Sequence, residues 1–87
     1  MHNQLAAVRT FDLVLNVAGK EWKFEVRRYP STDPRFEGIA SYNNQQRLDF
    51  IMIRTSIGKW LMHGGALPYD MVDHSQEIGN AFHEHGF

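Results

Sequence analysis

Residues 10–29 alternate apolar and polar side chains around a glycine, and this alternation constrains the chain more than any other feature. Phe11, Leu13, Leu15 and Val17 fall on one parity, with Asp12 and Asn16 on the other. Beyond Ala18-Gly19, Trp22, Phe24 and Val26 alternate with Lys23, Glu25 and Arg27. Period two marks half-buried strands, and glycine supplies the positive φ of a tight turn. Directly opposed residues on antiparallel strands share a face. An even loop at Ala18-Gly19 therefore sets Leu15 against Trp22, Leu13 against Phe24 and Phe11 against Val26. A three-residue loop would set Asp12 against Phe24, and a slip of one residue reverses every side chain. The even loop is the expected one.

The rest of the chain extends this hairpin. Pro30-Ser31-Thr32-Asp33-Pro34 is loop chemistry, and Phe36–Tyr42 reads as a strand weakened by Gly38 and Ala40. Asn43–Gln46 reads as a turn. Leu48–Thr55 is apolar on both parities, which suits a central strand. Ser56–Lys59 turns the chain into Trp60-Leu61-Met62-His63, and Gly64-Gly65 ends the sheet. From Pro68 onward the period becomes helical. Leu67, Met71, Ser75, Ile78 and Phe82 form one stripe, opposite Asp73, Gln76, Glu77, Asn80 and Glu84. Gly79 weakens this helix or lets it approach the sheet closely. The expected fold is α+β: an antiparallel β-meander of four to five strands with one C-terminal helix packed on one face. The 87 residues form a single domain, with 1–9 as a flexible N-terminal arm. One helix covers one face of such a sheet, so Val14, Ile51 and Ile53 are left on the other.

With 43% hydrophobic and 22% charged residues, the chain has globular composition. It contains no cysteine, which excludes disulfides and thiolate zinc sites and suits a reducing, cytoplasmic setting. The apolar run near the N-terminus is too short for a signal peptide, and no stretch approaches the ~18–20 apolar residues of a membrane span. Net charge is −1, so no strong overall field recruits nucleic acid or an anionic membrane. The charge is unevenly placed. Residues 1–64 carry nine Lys/Arg against six Asp/Glu, whereas residues 65–87 carry four acids and no Lys or Arg. Asp73, Glu77 and Glu84 thus form an acidic helix face, suited to solvent or to a basic partner.

No phosphate-binding glycine motif, nucleophile elbow or metalloprotease helix motif is present. Four constellations remain. His83-Glu84-His85 and His74 invite a metal, but His74 and His85 are about 16 Å apart along a helix, and no metal or other cofactor is expected. Arg27, Arg28, Tyr29, Arg35, Tyr42 and Arg47 form a basic-aromatic set that suits phosphates or stacked bases. Arg27 and Arg28 are adjacent on a strand and must face opposite ways, so they do not act as a pair. Gly64-Gly65 offers free amides before the helix. Asp70, Asp73 and His74 lie within one helical turn, with Ser75 the nearest hydroxyl. The leading expectation is a protein-interaction module without catalytic activity, binding a protein partner or a second copy through Val14, Ile51, Ile53, Asp73, Glu77 and Glu84. Nucleic-acid or phosphate binding is the alternative, and a small metal-dependent or acid–base enzyme comes third.

Overall fold

The hairpin that opens the chain forms in the expected register. A computed structural model describes residues 8–29 and 35–86. Strand β1 (Arg9–Val17) pairs antiparallel with β2 (Lys20–Arg28), placing Leu15 opposite Trp22, Leu13 opposite Phe24 and Phe11 opposite Val26. Ala18 and Gly19 turn the chain with φ of 52° and 84°, and the Gly19 N–H donates to Asn16 Oδ1 at 3.0 Å. Of the arm expected over residues 1–9, Arg9 belongs instead to β1. The arm's first seven residues, and the loop 30–34, lie outside the described residues.

Three further strands follow: β3 (Arg35–Tyr42), β4 (Gln46–Arg54) and β5 (Trp60–His63). The sheet order is β1-β2-β3-β4-β5, an antiparallel meander. β3, which looks weak in sequence, is the middle strand. Its small residues serve the packing. In the ladder Gly38 lies between Val26 and Phe50, and Ala40 lies between Phe24 and Leu48. Phe82 from the helical layer is set among Phe11, Phe24, Phe36 and Phe50, with ring centroids 5.4–6.2 Å away. Gly38 lets β2 lie close to β3, because a Cβ there would overlap the Glu25 carbonyl oxygen.

The C-terminal helix is two helices rather than one. α1 (Tyr69–Asp73) ends at His74, and α2 (Ser75–Gly86) begins there. The break has a side-chain cause. His74 N–H turns to the Met71 carbonyl at 3.1 Å, leaving the Asp70 carbonyl to His74 Nδ1 at 2.7 Å. Ser75 Oγ donates to the Val72 carbonyl at 2.5 Å. Serine and histidine thus take the bonds that a continuous helix would keep in its backbone. The apolar stripe survives the break, since Met71, Ser75, Ile78 and Phe82 are all buried. α2 lies across the sheet from β5 to β1. Gly79 permits its close approach, because a Cβ there would overlap the Trp60 side chain. None of the described helices is long and apolar enough to cross a membrane.

Candidate functional site

The helices cover one face of the sheet, and strand parity dictates what the other face presents. On β4 and β5 the open side carries Ile51, Ile53 and Leu61. Ile53 pairs directly with Leu61, and Ile51 with His63. Ile39 of β3 lies beside them, opposite Asp49. Ile51 is 37% and Leu61 42% exposed, although both belong to strands. Together these four residues form an apolar strip along the β3–β5 half of the open face. Leu61 and Ile39 are additions to the residues expected from sequence. The alternation of Trp60-Leu61-Met62-His63 carries the signal for Leu61, because a buried Trp60 and Met62 require an outward Leu61.

Charged groups frame this strip. Arg35 Nη2 lies 2.7 Å from Glu37 Oε2, and Arg47 Nη1 lies 3.4 Å from Glu25 Oε2. Arg27 Nε donates to the Tyr29 hydroxyl at 3.3 Å and stands opposite Glu37 in the ladder. A shallow depression of about 390 Å³ opens between these groups and the end of β5. Arg27, Glu37, Asp49 and His63 line it, with Ile51 between them and Gly64-Gly65 at the rim. The two glycines therefore border the open face instead of a helix N-terminus, since α1 starts only at Tyr69. Gly64 has a specific steric role: a Cβ would come within 2.5 Å of the Asp49 carbonyl oxygen.

The basic-aromatic set does not converge. Arg27, Arg35 and Arg47 share the open face with Lys23. Arg28 stands opposite Arg9 and Phe36 on the helical side. Tyr42 is on that side too, packed at 5.3 Å on Trp22 and capped by Lys20 Nζ at 5.6 Å. Arg35 and Arg47 are committed to carboxylates, and Asp12, Glu21, Glu25, Glu37 and Asp49 have the same parity as the cations. Val14, Ile51 and Ile53 do share the open face, but Lys23 and Ser41 lie between Val14 and the isoleucines in the ladder. Asp73, Glu77 and Glu84 are exposed on the helical layer, and Glu77 Oε1 is 3.8 Å from His74 Nε2.

The remaining constellations are structural. Ser75 Oγ accepts the Met62 N–H at 3.2 Å besides donating to Val72, so its hydroxyl holds β5 to the helices. His74 Nδ1 is engaged by the Asp70 backbone carbonyl, and its Nε2 faces Glu77 and neither Asp70 nor Asp73. His83 packs on Trp60 and His85 on Phe11, which turns the two imidazoles toward different strands. Among the described residues, no group of three or more His, Asp or Glu side chains is placed to hold a metal ion. Comparison of the chain with protein-family models, curated proteins and solved structures gives no match.

Proposed function

We propose that this protein works by contact, as a small interaction module of the adaptor, inhibitor or accessory-subunit kind, binding a protein partner on the open sheet face. The observation that carries this reading is the strip Ile39, Ile51, Ile53 and Leu61, with Ile51 and Leu61 exposed and ion-paired side chains around it. An apolar centre with a charged rim is the anatomy of a protein interface. Both signs are present in the rim, which suits a partner that offers apolar side chains flanked by mixed charges. The absence of cysteine supports a reducing, cytoplasmic setting for that contact.

The test is recovery of a stoichiometric partner from native extract, using the wild-type chain beside Ile51→Lys and Leu61→Lys. The expected result is one protein retained by the wild type and lost from both variants, with all three chains folded. Equal recovery by all three would remove the open face from the account.

The alternative, a nucleic-acid or phosphate binder, draws less support. Affinity for a polyanion grows with the number of phosphates neutralised. Here the guanidinium groups are divided between two faces, and Arg35 and Arg47 already face carboxylates. Fluorescence anisotropy with single-stranded and duplex probes separates the readings. The expected dissociation constant at physiological salt is no tighter than about 10 μM. Submicromolar binding that weakens in Arg27→Glu and Arg35→Glu would reverse the order.

A further inference from the structure

The two edges of the sheet are treated differently. β5 is short, and its outward amides are taken by side chains of α2. Trp60 N–H donates to Gln76 Oε1 at 3.0 Å, and Met62 N–H donates to Ser75 Oγ at 3.2 Å. β1 is nine residues long. It contains no proline and no lysine, and it pairs with β2 without a bulge. Proline, lysine and bulges are devices that keep an edge strand from pairing with another chain, and the only charges on β1 are Arg9 at its start and Asp12.

The groups that β1 offers follow from its turn. A two-residue loop makes Val17 and Lys20 a mutually bonded pair, and the ladder then alternates. The amides and carbonyls of Thr10, Asp12, Val14 and Asn16 therefore point away from β2. Among the described residues, nothing pairs with them. On the helical side, Phe11, Leu13 and Leu15 pack against the core yet stay only partly buried, and on the open side Val14 is 55% exposed. Among the described residues, the edge thus presents main-chain donors and acceptors without partners, with unfinished apolar burial beside them.

We infer that β1 pairs antiparallel with β1 of a second copy about a two-fold axis at Val14, joining two sheets into one. The choice of a second copy rests on self-complementarity. Centring on Val14 sets Val14 against its own copy, Leu13 against Leu15 of the second copy and Phe11 against Val17. Asp12 then meets Asn16 of the second copy, a carboxylate facing an amide. No like charges stand opposite one another. Centring on Asp12 would oppose the two carboxylates directly, which is unfavourable. In the Val14 register both copies turn their helices to the same side. Phe11, Leu13 and Leu15 of each complete the burial of the other, and the two open faces become continuous. This surface is separate from the apolar strip, so the partner-docking role stands or falls by its own test.

The cysteine-free chain allows a direct experiment. Opposed residues of a bonded antiparallel pair have Cα atoms about 5.5 Å apart, within disulfide range. Under mild oxidation Val14→Cys is expected to cross-link to a covalent dimer. Asn16→Cys is not, because its Cα atoms would lie roughly 14 Å apart in this register. Sedimentation at about 100 μM is expected to show a dimer for the wild type and a folded monomer for Val14→Lys, which sets two ammonium groups on the axis. A monomeric wild type would overturn the inference. So would a dimer that survives Val14→Lys, or cross-linking of the Asn16→Cys variant in preference to the Val14→Cys variant.

Discussion

Ala18 adopts φ of 52°, a left-handed conformation that a Cβ opposes, in a turn where asparagine is preferred. Ala18→Asn is expected to raise stability by about 0.5–1 kcal/mol, read as a higher melting temperature, with the Leu15–Trp22 register unchanged. Gly79 illustrates the opposite case. In an isolated helix, alanine would be better by about 1 kcal/mol. In this protein its Cβ would overlap the side chain of Trp60, whose backbone N–H is fixed to Gln76 Oε1. Gly79→Ala is therefore expected to lower stability by about 1–3 kcal/mol in denaturant titration, despite its higher propensity. Stabilisation would show that Trp60 yields easily and that the approach of α2 is loose. Both positions are visible as glycine-associated signals in sequence. Only the structure shows that the strained residue is Ala18, and that what Gly79 admits is an indole.

Among the elements, α2 is the one whose packing is most legible in sequence. Its stripe survives even though the helix is broken, because a buried face depends on the side chains' angular spacing and not on an unbroken backbone. Ile78 is 2% exposed at the centre of that stripe, whereas its neighbour Glu77 points outward. Ile78→Asp should unfold the domain by burying an unpaired charge, and Glu77→Lys should change stability by less than about 0.5 kcal/mol. Similar melting temperatures for the two would contradict the described packing. The hairpin register is legible for an equally physical reason: only one loop parity puts Phe11, Leu13, Leu15 and Val17 on the same face as Trp22, Phe24 and Val26. The break at His74 is not legible. It depends on where the Ser75 hydroxyl and the His74 ring find carbonyls, and residue type alone does not set that. The strength of β3 is hidden because Gly38 and Ala40 lower β propensity locally, while the missing Cβ of Gly38 is what lets the β2 backbone lie close.

Taken as a whole, the molecule has one face of a five-stranded sheet closed by helices and the other open. Parity alone separates Arg27 from Arg28. It also puts Arg35 and Glu37, two residues apart on β3, on one side. It does not reveal the pairing of Arg47 with Glu25, which depends on strand register beyond the first hairpin. The same missing register hides the joining of Ile39 and Leu61 to Ile51 and Ile53. If Ile51 and Leu61 stand on the surface for contact, as we propose, they add little to the folded monomer. Residues kept for contact can be replaced by polar ones with little loss of stability, whereas core residues cannot. Thermal denaturation of the double variant Ile51→Lys/Leu61→Lys tests this most directly, whatever the partner is. The long lysine stems can still lie along the strip, and Glu37 stands opposite position 51 in the ladder. The expected melting temperature is within about 4 °C of the wild type, or higher. A fall of more than about 10 °C would place these side chains in the core and contradict the account.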